Sequence, residues 1–204
     1  MMNRRNLQKE LDDIIAAAEK KPSLLLHVCC APCSSYCLEY LTEHFDITVF
    51  FSNSNIDDCD EYEKRKNEEI RLIRELCPQV GFVEGTYDPE RFHSLVRGHE
   101  NDPERGDRCG ICFAMRLEEA ARYASENGFD YFTTTLSISP LKDAQRLCSI
   151  GECAAEKYGT KYLPGDFKKK GGYQRSIALS EKYDLYRQDY CGCSYSKKKE
   201  TENG

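Results

Sequence analysis

The chain has 204 residues and a mass of 23.5 kDa, of which 40% are hydrophobic and 31% are charged. This length and composition suit one water-soluble globular domain with a real core. The formal net charge of −6 excludes a protein that coats nucleic acid non-specifically. No apolar run approaches the roughly 18–20 residues of a transmembrane helix, and no export signal is recognisable, so we expect a cytoplasmic protein without a membrane contact.

The first half of the chain alternates amphipathic helices with short apolar strands. Residues 7–20 predict a helix with Leu11, Ile14 and Ala18 on one face. Two apolar runs, at residues 23–28 and 46–51, predict buried parallel strands. Between and after them we predict helices at residues 34–44 and 61–76 and a weaker strand at 80–83.

The second half continues the same alternation. A turn-rich stretch with a short helix at residues 89–96 precedes a helix at 112–127, for which Gly128 is the expected C-cap. The remaining elements are a β-branched and aromatic strand at 129–135, a helix at 140–158, a short strand at 161–163 and a helix at 174–183. The order predicts a three-layer α/β domain with a mainly parallel sheet over residues 1–196, followed by a flexible charged tail at 197–204.

This topology has a consequence for ligand binding. Open parallel sheets bind ligands at the carboxyl ends of their strands, near the point where the strand order reverses. A cysteine cluster follows the first strand directly, and the segment TTTLSISP follows a later one. We therefore expect these two segments to face one pocket.

Cysteine is the outlier in the composition, with twelve residues. Without an export signal the thiols are expected to stay reduced, and closely spaced reduced cysteines indicate a metal or redox site. Seven of them form three groups, which are Cys29, Cys30 and Cys33, then Cys109 and Cys112, then Cys191 and Cys193. Seven thiols exceed the four ligands of one zinc ion or one cubane cluster, so we expect two metal centres.

The local patterns refine this expectation. Adjacent thiols, as at Cys29 and Cys30, and alternate thiols, as at Cys191 and Cys193, are expected to point in different directions and to serve two neighbouring metal centres. A redox pair and a structural zinc site remain as alternatives, although zinc knuckles are usually closer together in the chain. The other cysteines are interpreted as core or incidental, namely Cys37, Cys59, Cys77, Cys148 and Cys153, and His27 is interpreted as a satisfied core histidine.

Five motifs in order then identify a family resemblance. They are LLLHVCCAPCS, FFSNSNI, RCGICFAMRL, GFDYFTTTLSISP and GDFKKKGGYQRSIALSEKYDLYRQDYCGCSYS, between about residues 24 and 196. Together they resemble the QueH family of cobalamin-independent epoxyqueuosine reductases. The resemblance implies reduction of the epoxide of epoxyqueuosine in tRNAs with GUN anticodons (Asp, Asn, His and Tyr), which is the last step of queuosine synthesis.

The same resemblance implies a fold similar to the adenine nucleotide α-hydrolases, the fold of PP-loop tRNA-thiolating enzymes. CCAPCSS replaces their phosphate-binding loop, so ATP binding is not expected. The family carries a [4Fe–4S] cluster beside a separate metal ion, which we expect to be iron. We assign Cys30, Cys109, Cys112 and Cys191 to the cluster and Cys29, Cys33 and Cys193 to the ion. Cys33 is the least certain ligand, because some members have aspartate there.

The C-terminal part supplies the remaining candidates. Residues 157–204 hold eleven Lys and Arg against six Asp and Glu, which fits local contact with a phosphate backbone as well as it fits a solvated tail. Candidate proton donors are Tyr190, Asp189 and Asp166, unless these residues only hydrogen-bond within the fold. Candidate tRNA contacts are Lys168, Lys169, Lys170, Arg175 and Arg187, and candidate stacking residues are Tyr173, Tyr186 and Tyr190. The expected electron donor is low-potential, such as ferredoxin or flavodoxin.

Overall fold

The computed structural model describes residues 4–197. Its centre is a sheet of four parallel strands in the order β3–β2–β1–β4. The strands are β1 (Ser23–Val28), β2 (Asp46–Phe51), β3 (Gly81–Glu84) and β4 (Tyr131–Thr134). The predicted α/β class with a parallel sheet is confirmed, and the architecture is consistent with the three-layer fold of the adenine nucleotide α-hydrolases.

Seven α-helices connect and cover the strands. They are α1 (Leu7–Ala17), α2 (Ala31–Leu41), α3 (Cys59–Leu76), α4 (Pro89–Leu95), α5 (Asp107–Glu126), α6 (Ala144–Tyr158) and α7 (Gly172–Lys182). Polar N-caps begin several of them; the Asp58 carboxylate, for example, accepts a hydrogen bond from the backbone N–H of Glu61 at the start of α3. None of the described helices is long and apolar enough to cross a bilayer.

The strands bury both faces of the sheet, because alternate side chains point to opposite sides. Leu24, Leu26 and Val28 of β1 pack in one core, against α2 and α3. Leu25 of the same strand packs in a second core, against α5 and α6. Near-continuous apolar strands are therefore explained by helices on both faces.

Several predicted boundaries shift. Helix α5 begins at Asp107, so both Cys109 and Cys112 lie within its first turns. The C-cap of α5 is Asn127, one residue before the predicted Gly128, and Gly128 takes the left-handed conformation (φ 70°) at the next position, where glycine commonly ends a helix. Helix α6 begins only at Ala144, because Asp143 caps it and a 3₁₀ turn at Thr135–Ile138 precedes it.

The predicted strand at 161–163 is reduced to one bridge, between Tyr162 and Phe132. The predicted tail lies outside the described residues from position 198 onward.

Candidate functional site

A cavity of about 550 Å³ opens where the strand order reverses, at the carboxyl ends of β1 and β4. Cys29 and Cys33 from the first cysteine group and Cys191 from the last line it. Leu136 and Ile138, from the segment after β4, form another part of its wall. The expectation that the first cysteine group and TTTLSISP face one pocket is confirmed.

The turn between β1 and α2 brings three thiols together. Cys30 is the N-cap of α2, and Pro32 lies in the first helical turn. The Sγ atoms of Cys29, Cys30 and Cys33 all lie within 4.8 Å of one another, and those of Cys29 and Cys30 are 3.7 Å apart. The expectation that the Cys29 and Cys30 thiols diverge is wrong. Strict alternation applies within a strand, but β1 ends at Val28, and Cys29 already belongs to the turn.

Hydrogen bonds among these three thiols favour one negative charge, on Cys29. Hydrogen bonds from Cys30 and Cys33 hold the pKa of Cys29 well below its ordinary value, and the charges of Arg116 and Lys142 act in the same direction. The hydrogen bond to Cys29 raises the pKa of Cys30 to about 12. One thiolate stabilised by two thiols is a preformed arrangement of soft ligands.

Cys109 and Cys112, the two cysteines of the sequence CGIC, lie at the start of α5, and their thiols have different surroundings. Cys109 shares a small cavity of about 60 Å³ with Cys191. Cys112 packs with Cys193 in a small apolar cluster under α4. Burial raises the pKa of Cys112 to about 12; the neighbouring thiols of Cys191 and Cys193 act in the same direction, and the Arg116 charge opposes them.

Hydrogen bonds from α3 hold the CGC segment, which is residues 191–193, against the rest of the protein. Arg65, which is only 1% exposed, donates hydrogen bonds to the carbonyls of Cys191 (3.2 Å) and Tyr190 (3.4 Å). Gly192 has φ +127°, and a Cβ there would lie 2.8 Å from Ile56. Only glycine fits this backbone conformation at this close approach.

The seven thiols therefore form one tight and one looser group. The first is Cys29, Cys30 and Cys33. The second is Cys109, Cys112, Cys191 and Cys193, in which Cys109 and Cys191 share the small cavity and Cys112 and Cys193 share the apolar cluster, but no three sulfur atoms lie within 4.8 Å of one another. The 3.7 Å between the Cys29 and Cys30 sulfurs matches the roughly 3.8 Å edge of a tetrahedron with about 2.3 Å metal–sulfur bonds. A donor set made of thiols alone fits a soft metal or an iron–sulfur cluster.

The remaining cysteines divide by burial. Cys37 and Cys77 belong to one core and Cys148 to the other, which confirms the core interpretation for these three. Cys59 and Cys153 are exposed. His27 is fully buried, and its Nδ1 lies 2.9 Å from the Thr134 hydroxyl. It is a satisfied core histidine, as predicted.

Two cations in the site were missed from the sequence. Arg116 and Lys142 both line the large cavity, and Lys142 Nζ lies 3.5 Å from Cys191 Sγ. Arg116 is four residues after Cys112 on α5, so helical spacing could have identified it as a neighbour of that thiol. Lys142 lies in the loop before α6, where no local pattern announces a site residue.

The predicted catalytic and stacking residues are only partly brought together. Tyr190, Asp189, Arg187 and Tyr173 line the cavity with the thiols. Tyr186 does not; its hydroxyl donates to the Glu61 carboxylate. Asp166 is also elsewhere, with its carboxylate 2.7 Å from Lys168 Nζ.

Of the predicted tRNA contacts, only Arg187 lines the cavity that the thiols line. Lys168, Lys169 and Lys170 line a separate cavity of about 600 Å³ beside the start of α1. Lys170 forms an ion pair with Asp12 (2.6 Å). Arg175, on α7, pairs with Glu39 of α2 (2.6 Å). Much of this positive charge is therefore already neutralised by acidic neighbours.

The fold and the site together define an α/β protein with a thiol cluster that could hold a metal at the switch point of a parallel sheet. Comparison with known proteins gives the family. The model of the family "Epoxyqueuosine reductase QueH" matches residues 24–199. The chain belongs to this family of oxidoreductases, and the resemblance noted from the motifs is confirmed.

Named relatives support the assignment. An epoxyqueuosine reductase QueH of Streptococcus pyogenes serotype M1 is 50% identical over 87% of this chain and 71% of its own length. One from Staphylococcus epidermidis is 40% identical over 96% of this chain and 86% of its own length. The protein of that name from Thermotoga maritima is 35% identical over 85% and 90% of the two chains. The similarity therefore extends over nearly the whole chain.

Proposed function

We propose that this protein is an iron–sulfur-dependent, cobalamin-independent epoxyqueuosine reductase that converts epoxyqueuosine in tRNA to queuosine. The observation that carries the proposal is the convergence of cysteines from distant parts of the chain on one open cavity. A cavity of about 550 Å³ is large enough for a modified nucleoside base. Family membership supplies the substrate class.

The reaction sets the chemical requirements. Opening the epoxide to an alkene breaks both carbon–oxygen bonds, consumes two electrons and two protons, and releases the oxygen as water. A bound [4Fe–4S] cluster and a second ion, for which we propose iron, would supply single electrons and a Lewis-acid position. The electron source is proposed to be a ferredoxin or flavodoxin, and the setting the cytoplasm.

The two thiol groups suggest a division of ligands. The sequence-based assignment, with Cys30 on the cluster and Cys193 on the ion, remains a prediction. The close packing of Cys29, Cys30 and Cys33 instead favours these three as the ligands of the single ion. The cluster would then take Cys109, Cys112, Cys191 and Cys193.

The protein's own residues would receive the base and manage its protons. Tyr173 and Tyr190 offer rings for stacking on an extruded wobble base. Tyr190 and Asp189 lie on the cavity wall and are the candidate proton donors. Arg187, at the same wall, is the candidate contact for the flanking phosphate of a tRNA with a GUN anticodon.

The proposal is tested by anaerobic metal and sulfide analysis, followed by incubation with epoxyqueuosine-containing tRNA, a low-potential reductant and mass spectrometry of the nucleosides. Conversion without cobalamin is expected. Zinc alone in a colourless protein would indicate a structural or redox zinc protein. ATP-dependent sulfur incorporation would indicate a tRNA-thiolating enzyme.

The assignment of cysteines to the cluster or to the single ion is tested with Cys30→Ala. The matched control is Cys37→Ala, which replaces another buried cysteine, on α2. If Cys30 binds the single ion, the variant loses one iron and keeps the sulfide. Loss of most iron together with the sulfide would return Cys30 to the cluster. Cys37→Ala should keep both, because its thiol packs in the core, one helical turn after Cys33, and lines neither of the cavities lined by the thiols.

A further inference from the structure

Arg116 is a buried cation in the site, only 1% exposed, and it pairs with no carboxylate among the described residues. Its Nη1 has no hydrogen-bond partner there. Arg65, another buried arginine, pairs with the Glu61 carboxylate at 2.6 Å. Arg108 also lacks a carboxylate partner and leaves its Nε without a hydrogen-bond partner, but its Nη1 donates to three backbone carbonyls in the loop before α5. A buried, unpaired cation is costly, so its presence requires a compensating negative charge.

The position of Arg116 is fixed by residues from two of the other sequence motifs. Its Nη2 donates to Asn53 Oδ1 (2.5 Å), and Asn53 Nδ2 in turn donates to the Val28 carbonyl (2.9 Å) at the end of β1. Its Nε lies 3.3 Å from His27 Nε2, an atom that is also 3.1 Å from the Ser52 carbonyl. Burial and the Arg116 charge lower the pKa of His27 to about 3, so this histidine is neutral, and its Nε2 carries the proton that it donates to the Ser52 carbonyl. The motifs thus orient Arg116 without neutralising it.

Ionised thiols act most strongly on the Arg116 charge, although the Cys112 thiol, with a pKa of about 12, ionises only on binding a metal. Burial works to lower the pKa of Arg116, but three cysteines raise it above the ordinary value; they are Cys112, Cys29 and Cys191. These three belong to both thiol groups and to all three cysteine motifs. Arg116 lines the cavity with Cys29 and Cys191 and lies one helical turn after Cys112, so it is near thiols of both groups.

We propose that Arg116 is the fixed counter-charge of the thiolate-bound metal centres, and that it sets their reduction potential. The inference rests on the proposed iron–sulfur function. Thiolate-ligated iron–sulfur clusters carry net negative charge, and accepting one electron from the donor adds another. A buried cation stabilises the reduced form more than the oxidised form, because low polarity around it leaves the interaction poorly screened. Lys142 adds a second, more exposed cation.

The test compares Arg116→Gln, which removes the charge, with Arg116→Lys, which keeps it. Arg122→Gln is the matched control, because Arg122 lies on the same helix but is 47% exposed and pairs with Glu126. Midpoint potentials of the loaded proteins are measured by dye-mediated titration with dithionite. We expect a lower potential in Arg116→Gln, and near wild-type values in Arg116→Lys and Arg122→Gln. An unchanged potential in Arg116→Gln, or an equal drop in Arg116→Lys, would overturn the proposal.

A second measurement covers a variant that does not retain its cluster. Co²⁺ is titrated into the reduced, metal-free proteins at pH 7, and thiolate-to-cobalt absorption reports binding. Arg116→Gln should raise the Kd about tenfold, because the negative charge of the thiolate-bound metal then loses its buried counter-charge. Equal Co²⁺ affinity would refute the counter-charge. If Arg116→Gln binds Co²⁺ more weakly but the wild-type protein never accepts iron, the counter-charge role of Arg116 is kept and the reductase proposal alone is rejected.

Discussion

Arg65 links the last cysteine group to the body of the protein, and replacing it tests how that group is held. Its Nε is 2.6 Å from Glu61 Oε1, while the other two nitrogens donate to the carbonyls of Cys191 and Tyr190. Arg65→Met keeps most of the side-chain volume but removes all three interactions. The Glu61 carboxylate is then left at a site that is only 11% exposed.

The expected cost follows from these contacts. Removing one partner of a buried ion pair costs about 3–5 kcal/mol. Glu61 keeps the hydrogen bond from the Tyr186 hydroxyl (2.9 Å) and some contact with water, which favours the lower end. The two long hydrogen bonds to the carbonyls add about 1 kcal/mol together. We expect a loss of about 4 kcal/mol in the free energy of unfolding, together with a lower iron content because Cys191 and Cys193 lose their anchor.

The assay is urea denaturation of the reduced, metal-free protein, followed by iron analysis after reconstitution. The matched control is Arg71→Met on the same helix. Arg71 is 37% exposed; it pairs with Glu68 and Glu75 and donates to the carbonyls of Tyr183 and Asp184, so its loss should cost about 1–2 kcal/mol and leave the iron content unchanged. Equal stability of Arg65→Met and the wild type, with full iron, would refute this account of how the CGC segment is held.

Three further results are expected. Burial raises the pKa of Glu69 to about 8, above its unfolded value, so the stability that this carboxyl contributes is complete below about pH 4.5 and is lost as pH rises to about 8. Glu69→Gln should therefore raise the urea midpoint of the metal-free protein at pH 8.5 and change it little at pH 4.5. Equal effects at the two pH values would contradict this. Gly192→Ala should cost about 1–3 kcal/mol in the same denaturation assay and reduce iron content, since a Cβ at φ +127° meets Ile56; full iron and unchanged stability would contradict the strain. Lys169→Ala should weaken tRNA binding and reduce its salt dependence by about one charge if the lysine cavity contacts phosphate, and unchanged binding would remove that surface from the interface.

The local sequence is sufficient to predict the two central strands, β1 and β2, near the site. The bounds of β1 and β2 were predicted fully, because continuous apolar runs are distinctive of buried parallel strands. The start of α6 was misplaced, because a 3₁₀ turn and the Asp143 cap leave no break in the helical pattern. Membership of the cysteine groups could be inferred from spacing, but the geometry of Cys29 and Cys30 could not, since it depends on a turn and not on strand alternation.

Long-range pairing accounts for what the sequence concealed. The lysine run suggested an open phosphate surface, yet Lys170 is paired with Asp12 from the other end of the chain. Arg116 was hidden for a similar reason, because its partners Asn53 and His27 come from other motifs. Charges that are compensated, or left uncompensated, by distant residues cannot be recognised from a local pattern.

The wide spacing of the cysteine groups also bears on how the protein is made. Translation releases Cys29 to Cys33 first and the CGC segment last, so the second thiol group is incomplete until the chain has been synthesised past Cys193. In the proposed iron–sulfur protein, metal loading of that group therefore follows synthesis of nearly the whole described chain. Metal–thiolate bonds between segments about 80 residues apart would then act as cross-links, and the loop-closure entropy of each would destabilise the unfolded chain by about 4.5 kcal/mol. A loaded protein should therefore resist proteolysis far longer than a newly made, empty one.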